Sequence, residues 1–329
     1  MQPAANARNA ATATASALAG GRDSPNVTAL VRDRLLVTLL VVAVVPACGW
    51  RAHVRSTPPV VGETREAFLR SGFVSVRVEL PATPPGPKPV VISFLDERDA
   101  FLAAGLGVVT YRVDWEQVKA AAPPPPPPGA TTVGVWLLAS PTPRTIGQGY
   151  LRLIAATANI AGSVLDYLTT LPGVDPHRIG IAGSSTYGFV ALEAAADPRI
   201  AAAAVIAACG DYHAFLERST LAMNGAPLDL DRGYERDLVR QEAVRHPEWL
   251  THAAVLMVNG TSDVAVPEAC AENTARVFRA AYADAGAADR FRFVLVEGAG
   301  HNDLAARARA ESLAWFSRWL ARTDARTDG

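Results

Sequence analysis

An α/β fold with a doubly wound, mostly parallel sheet is what this sequence predicts, and three observations carry that reading. Short runs rich in Val, Ile and Ala alternate with longer segments of helical period along most of the chain. Several of the short runs are apolar throughout, as in Val90-Val91-Ile92-Ser93-Phe94, which fits a strand covered on both faces. The 329 residues are half apolar, enough for one large core of about 250 residues with a leader in front.

The elements follow in order. Val74, Val76, Val78 and Leu80 alternate with Ser75, Arg77 and Glu79, the period-two mark of a half-buried strand near a sheet edge. Pro81 to Pro89 is a turn-rich break, and the covered strand from Val90 comes next. Asp96 to Ala104 reads as a short helix and Gly107 to Tyr111 as a strand, a parallel pair joined by a right-handed crossover. Six consecutive prolines, Pro123 to Pro128, form an expected surface loop in polyproline form. Gly134 to Leu138 is a short apolar run. From Tyr150 to Leu171, apolar residues recur at three and four, and Pro172-Gly173 ends the helix.

Strands are then expected over 179–182, 201–208, 255–258 and 291–296. Helices are expected over 186–196, 268–285 and 304–322. The charged stretch Asp211 to Leu250 interrupts the alternation and reads as a helical lid inserted over the carboxyl edge of the sheet.

The first 26 residues are rich in Ala, Thr, Asn and Ser, show no period and read as disordered. Val31-Arg32-Asp33-Arg34, the apolar run Leu35 to Val45 and Pro46-Ala47-Cys48 have the layout of a secretory signal. The run is shorter than the ~20 apolar residues of a spanning helix. Val45-Pro46-Ala47-Cys48 resembles a bacterial lipobox, so Cys48 is the expected lipidation site and membrane anchor. The expected organisation is a leader over 1–48, a tether over 49–70 and a catalytic-type domain over 71–325 with its lid at 211–250. The protein is expected to be exported, as a cell-envelope lipoprotein or an extracellular form.

A net charge of −1 without a basic stripe argues against nucleic-acid partners. None of the three cysteines lies in a CxxC pair, so no structural zinc site is expected. Cys209 and Cys270 are expected as buried thiols, with a disulfide, which an exported protein permits, as the alternative.

The chemistry is concentrated at three places. The strand Arg178 to Ala182 runs into Gly183-Ser184-Ser185-Thr186-Tyr187-Gly188, which opens a helix. A strand, sharp turn and helix in that order hold a serine oxygen above a sheet and aim helix N–H groups at it. Ser185 is the nucleophile candidate, with Ser184 its neighbour. Tyr187 stands where a strict G-x-S-x-G would have glycine, and Gly188 follows. The strand Val255 to Val258 ends in a small polar loop that presents Asp263. The strand ending at Val296 leads into Gly298-Ala299-Gly300-His301. Ser, Asp and His thus each follow a strand end, where open α/β sheets place their sites. Taken alone, an Asp or His in a loop would more often be a turn or surface residue.

That Ser, Asp, His order, from about Val90 to Leu320, resembles the α/β-hydrolase superfamily. The stretch Leu165 to Leu168 through Gly173-Val174-Asp175-Pro176-His177-Arg178-Ile179-Gly180-Ile181 is similar to its dienelactone-hydrolase, acetyl-xylan-esterase and prolyl-oligopeptidase branches. The resemblance implies a serine hydrolase working through Ser185, Asp263 and His301 and an acyl-enzyme, with no metal or organic cofactor. The substrate it implies is a small ester or an acylated carbohydrate. Many members carry His-Gly or several glycines after the strand that here is Val90 to Phe94; this chain has Leu95-Asp96-Glu97. The oxyanion hole is therefore expected from the Thr186 N–H and a backbone N–H at Leu95 or Asp96. Tyr187, Tyr212 and His213 are candidate substrate contacts. A serine peptidase of the prolyl-oligopeptidase kind is the second reading, and a non-catalytic surface binding protein on a hydrolase fold is the third.

Overall fold

The computed structural model describes residues 64–69, 73–82, 85–114, 143–220 and 241–321. The leader with Cys48, the proline run, the 134–138 segment and residues 221–240 of the expected lid lie outside the described residues.

The described residues build an eight-stranded sheet. Its strands are β1 Thr64–Leu69, β2 Val74–Glu79, β3 Lys88–Ser93, β4 Gly107–Val113, β5 Val174–Ser184, β6 Ile200–Ile206, β7 Ala254–Gly260 and β8 Phe291–Val296, in spatial order β1-β2-β4-β3-β5-β6-β7-β8. β2 runs antiparallel to both its neighbours. All pairs from β4 through β8 are parallel. The helices are α1 Arg98–Ala103, α2 Pro143–Leu168, α3 Thr186–Ala194, α4 Tyr212–Arg218, α5 Glu268–Asp284 and α6 Ala305–Trp319.

Period-two alternation sorts the strand side chains onto the two faces. Val90, Ile92, Ile179, Ile181, Val205, Val255 and Met257 pack under α2, α3 and α5, through residues such as Leu151, Val164, Phe189 and Phe278. Val91, Val108, Ala182, Ala204, Leu256 and Val258 face the other way, onto Phe101 of α1 and Trp315 and Phe316 of α6. The sheet is therefore covered on both sides, which is why its central strands read as continuous apolar runs. β2 keeps its polar alternation because it lies one strand in from the edge, with Val74, Val76 and Val78 buried and Arg77 exposed.

Four expectations on the framework change. The stretch assigned as tether contains β1, so the sheet begins at Thr64 rather than at 71. Its Phe68↔Ser75 and Ala67↔Val76 pairing completes an antiparallel edge with β2. Cys209 and Cys270 are not free thiols: they form a disulfide across 61 residues, with Cα atoms 5.8 Å apart and both side chains buried. The 211–250 stretch is no continuous helical lid in its described parts. α4 packs Tyr212, Phe215 and Leu216 into the core, and two 3-10 turns at Ala243–Arg245 and Pro247–Leu250 lead into β7. The helix expected from Tyr150 begins at Pro143, since Gly147 and Gly149 hide the helical period there.

Candidate active site

β5 ends at Ser184 and α3 begins at Thr186, leaving one residue to make the turn. That residue, Ser185, has φ 56° and ψ −125°, a backbone conformation that costs an L-residue energy and is kept only where its surroundings impose it. The imposition is visible. The Ser185 N–H donates to the Ile206 carbonyl of β6 at 2.9 Å, while the Ser185 carbonyl accepts from the N–H of Gly188 at 2.8 Å and of Phe189 at 3.1 Å. The turn is so tight that a Cβ on Gly183 would lie 2.0 Å from the Tyr187 carbonyl oxygen. One on Gly188 would lie 2.4 Å from the Ile206 carbonyl oxygen. Gly183 and Gly188 thus make the close approaches of the turn, and position 187 is released to carry a side chain.

Asp263 follows β7, buried to 3 % exposure. Its Oδ1 accepts the N–H groups of Ala265 at 2.9 Å and Val266 at 2.8 Å, which locks the carboxylate and leaves Oδ2 to face His301. The His301 loop is pinned to the Asp263 loop. The Gly298 N–H donates to Thr261 Oγ1 at 2.7 Å, the Thr261 N–H to the Val296 carbonyl at 3.1 Å, and the Ser262 N–H to the Ala299 carbonyl at 3.0 Å. A Cβ at Gly260 would stand 2.2 Å from the Ala299 oxygen, so the two loops close only over glycine.

The result is a continuous hydrogen-bonded chain. Asp263 Oδ2 is 2.8 Å from His301 Nδ1, and His301 Nε2 is 2.9 Å from Ser185 Oγ. An ionised Asp263 can only accept, so Nδ1 carries the proton in the neutral ring and Nε2 accepts from the Ser185 hydroxyl. Three residues separated by 116 and 38 positions meet with the geometry a general base needs.

Thr186 is the first residue of α3, where a backbone N–H has no acceptor within the helix itself. The Thr186 hydroxyl is 2.8 Å from Tyr150 OH of α2, a contact that the sequence did not single out. Burial raises the Tyr150 phenol above its ordinary value, keeping it a neutral hydrogen-bonding group. Leu95 differs from its expected role: its N–H already donates to Ser93 Oγ at 3.1 Å, because the loop turns back on its own strand. Of the two carboxylates in this loop, Asp96 is exposed and Glu97 is buried, 3.9 Å from Arg309 of α6. Burial raises the Glu97 pKa.

The expected substrate contacts separate. Tyr187 is exposed and its ring stacks on Phe94, centroids 4.3 Å apart and 9° from parallel. Tyr212 is fully buried, packs against Phe189 and donates its hydroxyl to Glu193 Oε1 at 2.5 Å, so it is core. His213 does not join the Ser185 chain. Its backbone N–H and Nδ1 both lie 3.0 Å from Glu242 Oε1, and the pair lines a surface cavity of about 260 Å3 with Asp211, Arg245 and Asn273. The residues that sequence reasoning missed are Gly260 and Thr261, which join the loops, and Tyr150 and Phe94, which flank the turn. The small polar run Asn259-Gly260-Thr261-Ser262 was the available signal for the first two; nothing local marked the others.

No protein-family model matches the sequence, and no curated protein is found to resemble it. Solved structures do. A puromycin-hydrolysing peptidase of Mycobacterium tuberculosis aligns over 80 % of this chain and 40 % of its own length, at 22 % identity and TM-score 0.51. An acylaminoacyl peptidase of Pyrococcus horikoshii aligns over 79 % and 41 %, at 15 % identity and TM-score 0.55. A glucuronoyl esterase of Solibacter usitatus aligns over 80 % and 88 %, at 15 % identity and TM-score 0.52. The chain therefore spans about two fifths of the length of the two peptidases. At such identities the likeness is one of architecture. With its mixed eight-stranded sheet and a strained serine turn between β5 and α3, the chain has the α/β-hydrolase fold.

Proposed function

We propose that this protein is a serine hydrolase that cleaves carboxylic esters through an acyl-enzyme. The observation that carries the reading is the unbroken Asp263–His301–Ser185 chain with Ser185 at positive φ. Strain at a nucleophile that faces an imidazole nitrogen is of the kind retained where it prepares a reaction.

In the proposed mechanism, His301 Nε2 takes the Ser185 proton as Oγ attacks the acyl carbonyl. Asp263 holds the imidazolium and its tautomer. The Thr186 N–H donates to the developing oxyanion, supported by the positive end of α3. The protonated His301 then gives its proton to the departing alkoxide. A water molecule, deprotonated by the same nitrogen, attacks the acyl-serine and releases the acid and Ser185. A second oxyanion donor near β3 comes either from Asp96 or from Leu95 once substrate displaces Ser93 Oγ.

Export with lipidation at Cys48 belongs to the same reading. It is supported by the leader's layout and by the buried Cys209–Cys270 disulfide, since such bonds persist in oxidising compartments. A serine peptidase using the same residues is the second reading, favoured by the two peptidase likenesses.

The deciding experiment is hydrolysis of p-nitrophenyl acetate and butyrate by the full chain, beside Ser185→Ala, with fluorophosphonate labelling of both. Turnover and labelling lost on the substitution are expected. No turnover and no labelling in the parent protein would overturn the serine-hydrolase reading; amide turnover exceeding ester turnover would replace esterase by peptidase.

A further inference from the structure

Among the described residues, four large apolar side chains stay well exposed: Phe68, Tyr187, Trp249 and Val264. Two of them neighbour the proposed reacting groups in sequence. Val264, 65 % exposed, adjoins Asp263, and Tyr187, 45 % exposed, comes two residues after Ser185. Exposed apolar side chains offer surface for contact with a ligand.

Tyr187 is also held, not loose. One face of its ring lies on Phe94. Phe94 is fixed in turn by its N–H to the Ala182 carbonyl at 2.9 Å and by an edge-on contact with Tyr111 at 5.0 Å and 77°. Tyr111 is buried and its hydroxyl donates to the Thr157 carbonyl at 2.9 Å. A rigid stack therefore rises from the core to Tyr187. One face of Tyr187 lies on Phe94 and 45 % of the residue is exposed, so part of the side chain is accessible from outside.

The sheet order tells which part of the substrate meets it. His301 arrives from the β8 side of β5, and the leaving group must lie within its reach to be protonated. Phe94 ends β3, on the opposite side of β5. An acyl portion directed away from His301 would lie on that side, and this is the premise of the acyl assignment.

We propose that Tyr187, backed by Phe94, is the acyl-recognition wall of this site, and that the substrates are esters of aromatic or otherwise planar carboxylic acids. The assignment rests on the serine-hydrolase reading. An aromatic ring offset-stacked on Tyr187 gains dispersion and quadrupole contacts that a puckered aliphatic ring of equal size does not.

The test compares p-nitrophenyl benzoate with p-nitrophenyl cyclohexanecarboxylate, which share a leaving group and ring size. The readout is the ratio of their kcat/KM values in the full chain, so a general loss through the turn cancels. Tyr187→Leu and Tyr187→Ala should lower that ratio about tenfold, near the upper end for one aromatic pair. Tyr187→Phe should retain it, and Phe94→Leu should lower it less. Turnover of both esters with a ratio unchanged in Tyr187→Leu and Tyr187→Ala overturns the wall and leaves the hydrolase reading standing. No turnover of either ester and no fluorophosphonate labelling in the parent protein overturns both.

Discussion

Among the described residues, two buried carboxylates hold a histidine Nδ1, and their surroundings differ. In both, a carboxylate oxygen stands within 3.0 Å of a histidine Nδ1: Asp263 with His301 at 2.8 Å and Glu242 with His213 at 3.0 Å. The difference lies around them. Asp263 spends its other oxygen on two backbone N–H groups, and His301 carries its second nitrogen to Ser185 Oγ. Glu242 accepts with its other oxygen from Arg245 Nε at 2.9 Å. The first pair lies beyond strand ends, facing a strained turn. The second joins α4 to the residues that precede β7, closing the two ends of an insertion. The proposed activity rests on the feature that the first pair has in addition, the Ser185 hydroxyl 2.9 Å from the second imidazole nitrogen.

The sharpest way to break that comparison is to neutralise each acid. Asp263→Asn keeps the shape but favours the wrong imidazole tautomer, and kcat on p-nitrophenyl butyrate should fall about 10⁴-fold, as when a triad aspartate is so replaced. Glu242→Gln should leave kcat within about twofold. Equal losses in the two variants would show that the pairs are not functionally distinct.

The next largest effect concerns what fastens the second pair's region. Cys209 and Cys270 tie the exit of β6 to α5, and the neighbouring Gly210 N–H donates to Thr274 Oγ1 at 2.8 Å. Closing 61 residues restricts the unfolded chain by about 4 kcal/mol in the chain-entropy account. Cys209→Ser with Cys270→Ser should lower unfolding stability in urea by that order, and an unchanged midpoint would count against the bond. The same double variant should keep the Ser185 chain closed, since its loops are pinned to each other and not to α5.

The two regions also differ in how readable they were. Ser185, Asp263 and His301 were legible because each follows an apolar run and a small-residue loop, features that local sequence carries. The double-wound sheet was legible for the same reason, from runs covered on both faces. What was not legible depended on distant packing. Tyr212 looked like a site residue because it follows a strand end, yet α4 folds inward and buries it. His213 is held by Glu242, beyond the insertion, and does not join the Ser185 chain, a pairing that local sequence does not announce. Leu95 failed as a free donor because Ser93, two residues back, turns its hydroxyl to it. The pairing of Cys209 with Cys270 needed the placement of α5 against the end of β6, which spacing alone does not encode.

A smaller effect separates the pairs by stability in acid. Glu242 is 1 % exposed, and hydrogen bonds from His213 and Arg245 outweigh its burial and hold its carboxyl at about 2, against an ordinary 4.5. A depressed carboxyl stabilises the fold above its unfolded value and loses that contribution as pH falls from about 4.5 toward 2. Glu242→Gln should cost about 2 kcal/mol at neutral pH, typical of hydrogen bonds to a charged group, with the difference shrinking below pH 4. A difference that stays constant down to pH 2.5 would mean that charge plays no part in the clasp.

The smallest effect has the opposite sign in pH. The hydrogen bond to Glu242 raises the His213 pKa, with Asp211 adding to it while burial and Arg245 oppose. A histidine whose folded pKa lies above its unfolded value stabilises the fold fully below about 6.5, and that contribution disappears as pH rises through the folded value. The parent protein should therefore lose stability relative to His213→Gln between pH 6 and pH 9. Glu193 must be kept apart from this. Burial raises its carboxyl to about 7, so its own destabilisation develops between pH 4.5 and 7 and is common to both proteins. Urea midpoints of the two proteins, subtracted at each pH, isolate the histidine. A difference independent of pH from 6 to 9 would show that the second pair is held by its shape alone. The two histidines would then differ in geometry only, not in how their protonation is coupled to the fold.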